Sequence, residues 1–239
     1  MRVLLWAVLP YVSVVLLVGG TVWRWRYDRF GWTTRSSELY EKRLLRIASP
    51  LFHYGLIFVI LGHVAGLVVP EGWMSALGVR ESVYHAVSLY AGSLAGAAAV
   101  AGLAMLVYRR RTRGPVFSAT TRNDKLMYVL LGASLLLGLA VTVVENGILG
   151  GYDYRTTVGP WFRGLFALRP DITLMEGIPL LYAFHTVIGM VLTALFPFTR
   201  LIHAFAAPWR YPFRPYLVYR SRTSGPRTRA ERRGWEPIR

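Results

Sequence analysis

The 239-residue chain contains no cysteine. It therefore forms no disulfide, offers no thiolate to zinc or to an iron–sulfur cluster, and has no cysteine nucleophile. Charge is scarce as well: Asp, Glu, Lys and Arg make up 17% of the residues, against about 25% in an average soluble domain. Acidic groups are the scarcer kind, 12 against 28 Lys and Arg. Low charge combined with 54% hydrophobic residues disfavours an ordinary soluble enzyme. Instead, five apolar segments, roughly 3–23, 51–70, 82–108, 126–145 and 178–203, are long enough for a helix to cross a bilayer. The expected fold is an all-α membrane protein with five transmembrane helices, the third long enough to tilt or to extend beyond the bilayer. The middles of these segments hold essentially no Asp, Glu, Lys or Arg. That argues against ion-coupled transport, a transmembrane proton relay and a carboxylate-bridged di-iron centre.

The cations that are present sit almost entirely between the spans. Segments 24–46, 109–125 and 200–239 carry 23 of the 28, and the alternate segments carry five: Arg2, Arg80, Arg155, Arg163 and Arg169. The positive-inside rule then places the N-terminus outside and the C-terminus in the cytoplasm of a multi-pass cell (inner or cytoplasmic) membrane protein. The same asymmetry explains a formal charge of +16 and a pI near 10.8 without any nucleic acid. The first span lacks a small-x-small cleavage pattern before Arg24 and reads as a retained helix. Arg109–Arg113 reads as a topology and lipid head-group determinant. Pro160–Phe166 is amphipathic enough to lie on the membrane surface. Residues 1–208 form the expected membrane domain. Residues 209–239 form an arginine-rich cytoplasmic tail with interspersed Tyr and Trp, suited to docking on a partner subunit or on anionic lipid.

Histidine is the chemistry-bearing residue that the spans retain. Four of the five lie on two antiparallel spans: His53 and His63 on the second, His185 and His203 on the fifth. Opposite chain directions match His63 with His185 in depth, and His53 with His203. Two facing imidazoles fill both axial positions of one haem, and two such pairs hold two haems suited to electron transfer rather than oxygen binding. Ten residues of helix separate His53 from His63 by about 15 Å, whereas the eighteen between His185 and His203 span about 27 Å. Haem tilt, helix crossing or a kink at Pro197 would have to absorb that mismatch. Gly55, Gly62, Gly66 and Gly189 lie near these histidines and would let a flat macrocycle approach the backbone. The bland alternative is hydrogen bonding between helices. Gly92 and Gly96 form a small-xxx-small motif expected to pack helices.

Phe52-His53-Tyr54-Gly55, Gly62-His63-Val64-Ala65-Gly66, His185-Thr186-Val187-Ile188-Gly189-Met190 and Phe196-Pro197-Phe198-Thr199-Arg200-Leu201-Ile202-His203 together resemble the gamma subunit of membrane-bound respiratory nitrate reductase. The resemblance covers nearly the whole chain. It implies a subunit with two b haems that oxidises menaquinol or ubiquinol at the outer face. Electrons would pass to an iron–sulfur beta subunit and then to a molybdenum-containing alpha subunit that reduces nitrate. It also implies that His63 and His185 hold the outer haem iron, and His53 and His203 the inner one. Members of that family carry a lysine near the outer start of the third span, associated with quinol binding. Here that stretch reads Glu81-Ser82-Val83-Tyr84-His85-Ala86.

His85 is therefore the candidate quinol-site group, since an imidazole can hydrogen-bond a hydroxyl and take its proton near neutral pH. Gly66, one turn beyond His63, is expected to leave room for the quinol ring. Two alternatives stand beside this reading. One is a two-haem anchor of a related sulfite- or heterodisulfide-type reductase. The other is a haem-free membrane scaffold or transporter.

Overall fold

The computed structural model describes residues 1–28, 31–32 and 37–206. The expected tail, 209–239, and its boundary at 208 lie outside the described residues. Among the described residues the protein is helical throughout, with no strand. In chain order the helices are α1 (Leu4–Tyr27), α2 (Leu45–Val68), α3 (Glu71–Ala76), α4 (Glu81–Thr112), α5 (Gly114–Ser118), α6 (Arg122–Ile148), α7 (Val158–Phe166) and α8 (Leu180–Leu195). Helices α1, α2, α4 and α6, together with the stretch Leu180–Phe198, are long and apolar enough to cross a membrane.

The helices outrun the apolar segments read from the sequence. Hydropathy marks the part that suits lipid, whereas backbone hydrogen bonding continues into polar flanks. Thus α2 begins at Leu45 and carries Pro50 in its second turn, and α4 runs on to Thr112. The fifth segment differs the other way: α8 stops at Leu195, and short 3-10 turns follow at Phe196–Phe198 and Arg200–Ala204.

Helix starts have local causes. Thr121 and Asp124 form a reciprocal capping box at α6, each side chain accepting the other's backbone N–H. Pro70 and Pro179 precede α3 and α8 with extended ψ, where a missing N–H costs nothing. The turns nearest the N-terminal end of α1 and the C-terminal ends of α2 and α6 are widened to i→i+5 spacing, at Leu4–Val8, Val64–Val68 and Val141–Ile148. With the spans alternating in direction, all three lie at the end of the bundle that holds Met1.

Small residues set the closest helix contact, α2 on α4. Ala48 and Ala99 are fully buried. A Cβ added at Gly55 would stand 2.6 Å from the Ala99 backbone nitrogen, and one at Gly102 would strike the Phe52 backbone. This is how helices approach when apolar side chains gain nothing from leaving lipid. Backbone atoms cannot yield as a flexible side chain can. Gly55→Ala is therefore expected to destabilise the bundle by about 1–3 kcal/mol, the usual range for overpacking. Thermal unfolding of the purified protein in detergent checks this, and an unchanged midpoint would refute the contact. Gly92 and Gly96 pack as expected, against Thr142 and Leu139 of α6.

At the Met1 end, α7 forms where the amphipathic stretch was expected, but its apolar side turns inward. Val158 and Trp161 are buried with Trp6, Val141, Met175 and Tyr182. The Trp161 indole N–H donates to the Trp6 carbonyl at 2.8 Å.

At the opposite end, two arginines read from sequence as surface determinants prove to be buried. Arg109, 1% exposed, reaches Glu41 through Nε at 2.6 Å and the Ser37 hydroxyl and carbonyl at 2.8 Å each, and also donates to the Glu41 carbonyl. Arg110 donates to Thr120 and lies over the Tyr128 ring. Only Arg111 and Arg113 of that run are exposed.

Candidate functional site

Helix α2 packs on α4, and α8 packs on α6 and α1. The paired histidines thus stand on α2 and on the fifth segment, which pack on different helices. At one level His63 and His185 have ring centroids 5.8 Å apart; at the other, His53 and His203 are 6.0 Å apart. These are the pairs that depth matching anticipated.

The eighteen-residue mismatch disappears because the fifth segment is not one helix. Pro197 lies in the 3-10 turn after α8, Thr199 is extended, and the chain re-enters a 3-10 turn that carries His203. Thr199 closes this corner: its hydroxyl donates to the Phe196 carbonyl at 3.0 Å and accepts from the Leu201 N–H at 3.3 Å. An Arg200–Asp124 ion pair at 3.2 Å ties the corner to α6.

Three of the four imidazoles are oriented by their own backbone. Nδ1 of His53 lies 2.7 Å from the Ser49 carbonyl, Nδ1 of His63 2.7 Å from the Val59 carbonyl, and Nδ1 of His203 2.6 Å from the Arg200 carbonyl. A carbonyl only accepts, so Nδ1 must carry the proton and Nε2 keeps a lone pair. That is the tautomer of a metal-ligating histidine with its second nitrogen anchored. His185 is placed differently. It fills the space left by Gly138, where a Cβ would stand 2.8 Å from its Cε1.

This donor set fits haem. Metal–imidazole bonds of about 2 Å on each side, added to the reach of each ring, put the centroids of a trans pair about 6 Å apart. Among the described residues, no three His, Cys, Asp or Glu side chains gather to hold a bare metal ion. A macrocycle would supply the ligands that two protein nitrogens leave unfilled. The glycines divide: Gly62 and Gly189 face open space, whereas Gly55 is consumed by helix packing and leaves nothing for a macrocycle.

Beyond His63, toward the Met1 end, lies a polar cavity of about 240 Å³. Its walls include Glu81, Tyr84, His85, Asn146, Tyr154 and Arg155. His85 is thus in a cavity wall and exposed. The room expected at Gly66 is taken: a Cβ there would meet the Tyr154 hydroxyl at 2.8 Å and the Tyr84 hydroxyl at 3.1 Å. Gly66 therefore admits two phenols rather than lining the cavity. Those hydroxyls bond each other at 2.8 Å. Tyr154 also packs on Tyr182, ring centroids 6.0 Å apart, and the Tyr182 hydroxyl donates to Asn146 Oδ1 at 2.9 Å. Tyr182 lies one turn before His185, and Gly66 one turn past His63. The tyrosines therefore connect the cavity to the nearer histidine pair.

Sequence reasoning missed Gly138, Asn146, Tyr154 and Arg155. A signal did exist for Arg155, one of only five basic residues outside the cation-rich segments. It lies four residues past a Gly150–Gly151 turn in which both glycines have positive φ.

A family model described as nitrate reductase gamma subunit matches residues 2–222. The chain is 54% identical over 233 residues to the nitrate reductase-like protein NarX of Mycobacterium tuberculosis, covering 97% of this chain and 36% of that protein. It thus spans about a third of that relative's length. It is 46% identical over 220 residues to the nitrate reductase gamma chain of Bacillus subtilis, covering 92% of this chain and 98% of that one. It is 30% identical over 223 residues to the respiratory nitrate reductase 2 gamma chain of Escherichia coli, covering 93% and 98%.

Proposed function

The chain belongs to the nitrate reductase gamma subunit family, and from that membership we propose that it is the quinol-oxidising cytochrome b subunit of a respiratory nitrate reductase. As a multi-pass cell-membrane protein, it would oxidise menaquinol or ubiquinol at the outer face. It would hand the electrons, by way of two b haems, to an iron–sulfur beta subunit that serves a molybdenum-containing alpha subunit. In this reading the Met1 end faces outward and the arginine-rich end faces the cytoplasm, where residues 209–239 would meet the beta subunit.

The observation that carries the reading is the pair of imidazole pairs, one above the other, with Nδ1 anchored on three of the four rings. His63 and His185 would hold the outer haem iron, His53 and His203 the inner one. The group supplies reversible one-electron transfer when bound. The protein's part would be to hold each group between two imidazoles, leaving no place for oxygen, with three of the four rings fixed by their second nitrogen.

At the outer end the cavity would receive the quinol head. His85, exposed at the cavity wall, would take a hydroxyl proton on its imidazole nitrogen and pass it to external water. The nitrate chemistry would belong to the partner: this chain has no cysteine, and no cluster of His, Asp and Glu gathers among the described residues to ligate a further metal.

The test is optical. Membranes containing the assembled complex are expected to show b-type bands in the reduced-minus-oxidised spectrum, resolving into two components by potential. Addition of quinol is expected to reduce them. Absence of b-type bands would overturn the haem assignment. Bands that dithionite reduces but quinol does not would overturn the quinol role.

A further inference from the structure

Arg155 reaches the cavity from the loop between α6 and α7, and its side chain is only 3% exposed. Two contacts hold it in place. Nη1 donates to Glu81 Oε2 at 2.8 Å, and Cζ lies 3.9 Å from the centroid of the Tyr84 ring. Its two other donor nitrogens, Nε and Nη2, are buried and have no hydrogen-bond partner. Stacking on Tyr84 does not satisfy them, because guanidinium N–H bonds lie in the plane of the group, not along its face. Buried charged donors are costly to leave unpaired. In a side chain that lines a cavity, they point to an oxygen acceptor supplied from outside the chain.

The surrounding charge narrows that acceptor's chemistry. Glu81 and Asp153 line the same cavity, so two carboxylates face one guanidinium. An oxyanion such as phosphate would meet a negative balance there, whereas a neutral molecule with a polarisable oxygen would not. The remaining wall groups, His85, Ser88, Asn146 and the Tyr84–Tyr154 pair, both donate and accept. A cavity of about 240 Å³ falls below the roughly 300–1,000 Å³ of sites that enclose whole drug-sized ligands. It suits one head ring whose tail stays in lipid.

We propose that Arg155, through Nε and Nη2, holds one oxygen of the quinol head ring and is the principal affinity determinant of the outer cavity. This rests on the quinol-oxidising reading above and adds a residue to it. Arginine has no lone pair to offer and does not lose its proton in proteins, so it cannot take the hydroxyl proton. It binds the oxygen as acceptor and leaves proton removal to His85. The Glu81 ion pair and the Tyr84 stack keep the guanidinium from swinging to water.

The experiment uses the assembled complex in membranes, menadiol as donor, and the variants Arg155→Lys and Arg155→Gln. Lysine keeps the charge and can still reach Glu81, but it lacks the planar fork. Both variants are expected to retain both haem components on dithionite reduction and to keep wild-type nitrate reduction driven by reduced viologen. KM for menadiol is expected to rise about ten- to hundredfold, as for a lost hydrogen bond to a charged donor, while kcat falls far less. Unchanged KM in both variants would overturn the proposal. So would loss of a haem component, or a shift of haem potential measured without menadiol, because Arg155 would then serve the haem rather than the quinol. If menadiol fails to reduce the wild-type haems, the quinol-oxidising reading itself falls, an outcome visible before any variant is made.

Discussion

Replacing His185 with alanine is expected to remove one b-type component from the spectrum and leave the other intact. His63 alone cannot fill two axial positions, and no other described His, Cys, Asp or Glu stands near enough to complete a set of three. The second pair, His53 and His203, lies about 15 Å further along α2 and shares no partner with the first, so effects at the two sites should be independent. Quinol-driven nitrate reduction should fall by more than about a hundredfold, since losing even an outer-shell partner of a metal ligand costs ten- to hundredfold. Viologen-driven nitrate reduction should persist, because that donor bypasses the membrane subunit. His53→Ala should remove the other component instead. Potentiometric titration of the haem bands separates the cases: both components at wild-type amplitude in either variant would refute the ligand assignment.

The second large effect is structural and lies at the opposite end. Arg109→Leu removes the donors to the Ser37 hydroxyl, the Ser37 carbonyl and the Glu41 carbonyl, and leaves the Glu41 carboxylate with the Leu44 N–H but without its guanidinium. Each buried acceptor left unpaired costs about 1–3 kcal/mol, so the two buried Ser37 acceptors together should cost roughly 2 kcal/mol or more. The expected result is a clear fall in the thermal unfolding midpoint in detergent, with less of the chain recovered from membranes. A midpoint within error of wild type would show that the clamp is idle.

Acid should erase part of the same contribution. The Leu44 N–H foremost, with the Arg109 guanidinium, holds the Glu41 carboxyl below the usual carboxylate range. A depressed carboxylate stabilises the fold above its unfolded-state pKa, and this is lost as pH falls through the folded value. The wild type should therefore lose stability on acidification below the usual carboxylate range more steeply than Arg109→Leu does.

The four histidines, Arg109 and Arg155 show which parts of the molecule could be read from the sequence. The matched depths of the four histidines were legible because a bilayer forces helices to alternate in direction, so position along the chain converts to depth. The helix ends were less so, because apolarity reports lipid contact and not hydrogen bonding. The fifth segment is the instructive case. Pro197 was visible, but a kink in a continuous helix and a full stop at Leu195 leave the same mark in sequence. Thr199, which closes the corner with its hydroxyl, carries no hydropathy signal at all. Arg109 was obscured for another reason. A rule that explains every cation on one side as a topology signal gives no way to see that one of them is buried. Arg155 escaped because it arrives on a loop, and its neighbours come from helices about 70 residues away in the chain. Gly66 and Gly55 were read as space; the structure fills one with two phenols and the other with a neighbouring helix.

The ten-residue interval between His53 and His63 also has an electrical meaning. At about 1.5 Å per residue it separates the two pairs by about 15 Å, close to half of a hydrocarbon core of about 30 Å. In the orientation proposed, an electron moving from the first pair to the second travels toward the negative side and crosses about half of the membrane voltage. A full crossing is worth about 2.3 kcal/mol per 100 mV, so this step would cost about 1 kcal/mol for each 100 mV applied. That cost would be met from the overall drop in potential between the electron donor and the final acceptor. On the proposed function, the spacing of the two pairs would set how strongly the membrane voltage opposes this step, and vesicles clamped at different voltages with valinomycin and potassium would show it as a voltage-dependent ratio of reduced outer to reduced inner haem.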